Sequence, residues 1–171
     1  MVRSTASSLL KTSLDRAEPL RRIYLLDESR MARAALRRMI QGAGGFDVVG
    51  EGSELEFALL DAPDRAPDVI VLDPFHGGPA RFGGEGGAFD DEGAPSLERI
   101  SALLPHSWIV VATSDEDRAL SELQLGDPLR ALVSKSGDPE EVVRALRAAS
   151  DGAWFVCPRF AGRFRRPFHA K

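Results

Sequence analysis

At 171 residues, 43% apolar and 28% charged, the chain has the size and balance of one globular domain with room for tails. A net charge of −4 argues weakly against a dedicated nucleic-acid binder, and a single cysteine, Cys157, excludes an internal disulfide and suits a reducing cytosol. No apolar run approaches the roughly 18 residues of a membrane span, and Leu9-Leu10 is too short for a signal-peptide core, so the expectation is a cytoplasmic protein without membrane contact.

Residues 1–20 are Ser/Thr-rich without a clear period and close with Pro19, which reads as a mobile leader. Arg22 to Leu26 (RIYLL) is a first strand, followed by Asp27-Glu28. Ser29 to Gln41 carries Met31, Ala35, Leu36, Met39 and Ile40 at helical spacing, and Gly42, Gly44 and Gly45 stop it. Phe46 to Glu51 is a second short strand. Ser53-Glu54-Leu55-Glu56 reads as a capping box opening a helix through Leu60.

Val69 to Leu72 is a continuous run of β-favouring apolar residues, ended at once by Asp73 and Pro74. A run this short suits a strand buried on both faces of a parallel sheet. Residues 74–95 then break the pattern with seven glycines between Gly77 and Gly93, a composition that reads as a long solvated loop. Helical spacing resumes over Ser96 to Leu104. Trp108 to Ala112 is a fourth buried strand ending in Thr113-Ser114, and Asp115 to Leu125 a helix. Ala131 to Val133 is a fifth strand ending in Ser134-Lys135. Asp138-Pro139-Glu140-Glu141 opens a last helix, which Gly152 ends. Residues 153–171 hold aromatics between arginines and read as a solvated basic tail.

Strands alternating with helices predict an α/β fold on a parallel sheet. In such a sheet the carboxyl ends of the strands share one edge, where ligands bind. That edge would collect Asp27, Glu28, Asp73, Thr113 and Lys135. Gathered carboxylates repel one another, and a hard divalent cation such as Mg²⁺ relieves that. A lysine and a hydroxyl opposite suit the remaining oxygens of a phosphoryl group. The set therefore points to a carboxylate nucleophile accepting phosphate with metal help. Singly, each residue also has a plain reading: Asp27, Glu28, Asp73 or Thr113 as a helix cap, and Lys135 as a surface lysine.

YLLDES, VIVLD, VVATS and LVSKSGDPEE together make residues 21–152 resemble a response-regulator receiver domain, the phosphoacceptor module of two-component signalling. The resemblance implies a flavodoxin-like (βα)₅ doubly wound parallel sheet in strand order 2-1-3-4-5. It implies Asp73 as phosphoacceptor, and Asp27, Glu28, Asp73 and the Phe75 backbone carbonyl as ligands of Mg²⁺. Thr113 becomes the switch hydroxyl and Lys135 its ion-pairing partner. Implied partners are a sensor histidine kinase or other phosphodonor and a second copy of the chain in a homodimer, and no turnover of a separate substrate is expected. FDVVGE, KSGDPEE and DGAWFVCPRFAGRF look like NarL/FixJ-type regulators, whose last segment is the linker into a LuxR-type helix-turn-helix. The expectation is a receiver without that DNA-binding domain, either receiver-only or a fragment.

Three positions depart from the family pattern. Leu132 stands where the family has its switch aromatic, Pro74 directly follows Asp73, and the stretch from Asp73 to Thr113 is longer than usual. These departures motivate an alternative, an atypical receiver that works without phosphorylation as a protein–protein or dimerisation adaptor. A dehalogenase-style hydrolase needs a second Asp where Phe75 stands. A flavodoxin needs a phosphate loop after the first strand, which is absent from the sequence.

Overall fold

The computed structural model describes residues 19–75, 97–123 and 127–163, so the leader, most of the Gly-rich stretch and the last residues of the tail lie outside the described residues. Five strands, β1 (Arg21–Leu26), β2 (Phe46–Gly52), β3 (Val69–Leu72), β4 (Trp108–Thr113) and β5 (Leu129–Ser134), alternate with five helices. The helices are α1 (Arg30–Ala43), α2 (Leu55–Arg65), α3 (Leu97–Leu103), α4 (Glu116–Glu122) and α5 (Glu140–Ser150). A short β6 (Phe155–Val156) and α6 (Pro158–Ala161) follow. Every pairing is parallel, in the order β2-β1-β3-β4-β5-β6, so the α/β class and the order 2-1-3-4-5 hold. Among the described residues no helix is long and apolar enough to cross a membrane.

The sheet centre is dry. All four residues of β3 are buried, and Ile23, Leu25, Ile109, Leu129 and Leu132 reach 0% exposure. Helices cover both faces, as buried parallel strands require. α1 and α5 contact each other and the sheet, while α2 packs on β1 and β2 and contacts α3. Ser29 caps α1 by accepting from the Ala32 N–H, and Gly44 ends it at φ +68°, a conformation glycine adopts without a Cβ penalty.

Two helices differ from the sequence reading. α2 starts at Leu55, with Glu54 rather than Ser53 at the cap position and no side-chain cap there, and it runs five residues past Leu60. Pro63 falls within the last turn, Arg65 pairs with Asp61 one turn earlier at 3.1 Å, and the left-handed Ala66 closes the end. Ala58 and Ala62 supply its buried face. α4 is shorter than expected and gives way at Leu123 to extended backbone.

The tail is the larger correction. Its first half is part of the fold: β6 extends the sheet beside β5, and Cys157 and Phe160 are fully buried. Arg130 on β5 lies over the rings of Trp108 (4.0 Å) and Trp154 (4.7 Å), which ties the start of the tail to the sheet. Arg159 and Arg163 form ion pairs with Glu116, and Arg163 also with Asp117. Burying a phenylalanine contributes on the order of 2–3 kcal/mol, whereas an exposed ion pair contributes about 0–1 kcal/mol. Phe160 therefore docks the tail, and the arginines decide where its end sits.

Candidate functional site

Register places the site. Leu26 pairs with Leu72, so Asp27 and Asp73 leave the sheet side by side, and the Asp73 N–H donates to the Leu26 carbonyl at 3.0 Å. Thr113 pairs with Ser134, so Lys135 emerges next to Thr113 and donates its own N–H to the Thr113 carbonyl at 2.8 Å. Three non-adjacent segments thus reach one edge.

Lys135 joins them. Its Nζ contacts Asp27 Oδ2 and lies 2.5 Å from Asp73 Oδ2. Both aspartates are 2% exposed, and the lysine side chain 14%. The remaining carboxylate oxygens are held by backbone: Asp27 Oδ1 accepts from the Ser29 N–H at 2.8 Å, and Asp73 Oδ1 from the Phe75 N–H at 3.1 Å. Each acid is thereby fixed in orientation. Desolvating two carboxylates for one ammonium is costly, and apolar residues of similar volume would serve stability as well. The arrangement points to chemistry.

Thr113 is fully buried, and its Oγ1 accepts from the Asp115 N–H at 3.1 Å. It lines a cavity with Asp73, Phe75, Asp117 and Arg163. The Phe75 ring lies under the Arg118 guanidinium, 5.0 Å from centroid to carbon. Glu28 is half-buried, and among the described residues no three Asp, Glu, His or Cys side chains form a group able to hold a metal. The Arg33 guanidinium fixes this corner by donating to the carbonyls of Asp27 (2.5 Å) and Glu28 (3.3 Å).

The edge therefore brings Asp27, Asp73, Thr113 and Lys135 together and leaves Glu28 beside them. The donor chemistry fits a hard divalent cation: two buried, oriented carboxylates meet one ammonium, leaving unbalanced negative charge on oxygen ligands.

One group of residues was not legible in the sequence. Ser134 Oγ donates to Glu116 Oε1 at 2.6 Å and accepts from the Ser136 N–H at 3.1 Å. Glu116 also takes Arg159 and Arg163, so the residue beside Lys135 is bonded through Glu116 to the tail. The arginines interleaved with aromatics were the only sequence signal.

Comparisons with known proteins agree with this geometry. No family model matches the chain. It is 26% identical over 144 residues to the transcriptional regulatory protein LiaR of Bacillus subtilis, covering 83% of this chain and 62% of the relative. It is 27% identical over 139 residues to the response regulator UvrY of Escherichia coli, covering 81% and 58%. The chain thus spans about 60% of the length of these curated relatives. The isolated REC domain of RcsB from Salmonella enterica superposes with a TM-score of 0.65 at 18% identity, over 84% of this chain and 97% of that one. A LuxR-family two-component response regulator from Aurantimonas gives 0.64 at 25% identity, over 84% and 94%. The architecture these similarities define is a parallel α/β sheet of the receiver type. In sequence and fold the chain is similar to the receiver portion of two-component response regulators.

Proposed function

We propose that Asp73 accepts a phosphoryl group and that the chain switches a protein-interaction face in response. The observation that carries this reading is the Lys135 bridge between Asp27 and Asp73, beside the Thr113 hydroxyl. An Asp73 carboxylate oxygen attacks the phosphorus of the donor. The donor's P–N or P–O bond breaks, and its electron pair leaves with the donor, as imidazole from a phosphohistidine or acetate from acetyl phosphate. Asp73 passes from one negative charge to about two. Lys135 and the Thr113 hydroxyl then have phosphoryl oxygens to meet in place of a carboxylate.

Asp27 and Asp73 are the residues that would hold Mg²⁺, with Glu28 and the Phe75 carbonyl next in line. When bound, the ion neutralises charge developing on the transferring group. The chain's own residues do the rest: Phe75 N–H and Lys135 orient Asp73, and burial keeps water from the carboxylate. No turnover of a separate substrate is expected. The donor class is a histidine kinase or a small acyl phosphate, and the compartment is the cytoplasm.

Incubation with acetyl phosphate and Mg²⁺ followed by intact mass measurement tests this. One added phosphoryl group is expected, absent in Asp73→Asn and in wild type treated with chelator. Equal uptake by Asp73→Asn would overturn it.

One observation favours the adaptor alternative. Leu132, standing where the family has an aromatic, is fully buried in β5 and offers no ring to swing between positions. In that reading Asp73→Asn leaves partner binding intact, whereas the phosphorylation reading expects it to be lost.

A further inference from the structure

The geometry points to the tail Phe155–Arg163 as a latch that reads the charge on Asp73 through Arg163. This rests on Asp73 accepting a phosphoryl group and adds where that charge is sensed.

Arg163 sits at the end of the docked segment, its side chain 45% exposed, and lines the same cavity as Asp73 and Thr113. It is held there by Glu116 Oε2 at 3.5 Å and by Asp117 Oδ1. Both acids lie just beyond Thr113, in the first turn of α4. Arg163 and Asp117 are exposed and Glu116 only partly buried, so the cation is weakly committed, because pairs near the surface contribute little. A second negative charge on Asp73 gives Arg163 a competing partner across the cavity, with phosphate oxygens matched to the guanidinium fork. The same charge repels Glu116 and Asp117.

A second path connects the same elements. Lys135 holds Asp73, Ser134 precedes Lys135 in β5, and Ser134 Oγ bonds Glu116, which also takes Arg159 and Arg163. When Lys135 exchanges a carboxylate for a phosphoryl group, the end of β5 and Glu116 are disturbed together. With Leu132 in the aromatic position, this polar chain is a coupling from Asp73 to the tail that runs alongside the β5–β6 pairing. The arriving charge draws Arg163 inward, and the tail docks more tightly. Arg163 is a positioning residue, outside the transfer itself.

Hydrogen exchange of amides 155–163 tests this, on full-length protein before and after acetyl phosphate and Mg²⁺, with intact mass reporting uptake. In wild type, phosphorylation is expected to slow exchange there about fivefold, the lower end of ordinary coupling between sites. In Arg163→Gln that response disappears although phosphoryl is taken up. A purely structural Arg163 would shift the untreated rate and leave the response intact, which overturns the latch. Uptake without any wild-type response also overturns it. Absence of uptake in both proteins overturns the phosphoacceptor reading and the latch with it.

Discussion

Lys135 Nζ lies 2.5 Å from Asp73 Oδ2, although 62 residues separate the two in the chain. The contact exists because β4 lies between β3 and β5 in the sheet, and Thr113–Ser134 register carries Lys135 forward at the shared edge. Asp27 reaches the same nitrogen from β1 on the other side of β3.

That arrangement predicts opposite outcomes for two substitutions. Lys135→Ala leaves Asp27 and Asp73, each 2% exposed, without their shared cation, and is expected to lose about 3–5 kcal/mol. Asp73→Asn removes one of the two buried charges while keeping volume and polar atoms, so its stability is expected to match or exceed wild type by up to about 1 kcal/mol. Urea unfolding with an unchanged m-value checks both. Equal losses in the two variants would mean that the pair acts as ordinary stabilising structure.

The strands and most of the edge residues were readable because buried parallel strands are short apolar runs, and a run ended by a polar residue marks its own carboxyl end. VIVLD and WIVVATS carry that signal in full. β6 carries none, since two residues have no period and Phe160 is buried by a four-residue helix that local pattern does not announce. Glu28 shows a different limit of sequence reading. Adjacency in sequence to Asp27 does not by itself set adjacency in space, because side chains at a strand end alternate. Ser53 has a cap's spacing, but the turn after β2 puts the cap position on Glu54, one residue later. Pairings such as Ser134–Glu116 depend on register, which no single stretch encodes.

Gly50 permits the tight packing between β1 and β2. The register between these strands shifts between Ile23 and Tyr24, bringing Gly50 opposite the Tyr24 ring. A Cβ at position 50 would lie 2.5 Å from Tyr24 Cε2 and 2.8 Å from Cδ2. The ring is 2% exposed, so it has little room to give. Gly50→Ala is expected to cost about 1–3 kcal/mol in thermal or urea unfolding, as overpacking of a core does. Gly42→Ala, where nothing lies within 4 Å, is the control and is expected to be neutral or stabilising by up to about 1 kcal/mol, since α1 includes that residue. A Gly50→Ala protein as stable as wild type would show that the Tyr24 contact relaxes freely.

Tyr24 also gives the fold a pH dependence that can be read without ambiguity, because it is the chain's only tyrosine. Burial disfavours the phenolate, and the Asp61 carboxylate, which accepts the Tyr24 hydroxyl proton at 3.3 Å, raises the phenol further. Together they push it from 10.0 to about 12. A raised acid is protonated more readily in the folded state than in the unfolded one. Its contribution is therefore complete below the unfolded value, declines as pH rises from about 10, and is lost once pH passes the folded value near 12. Two units correspond to at most about 3 kcal/mol. Phenolate absorbance of the folded protein is expected to appear about two units later than in denaturant. Asp61→Asn removes the charge and shifts the absorbance part of the way back toward 10.0, leaving the burial component. Tyr24→Phe abolishes this component of alkaline destabilisation. Titration of the native phenol at its ordinary value, with Asp61 present, would show that the ring is reached by water and that the contact with Asp61 is not maintained in solution.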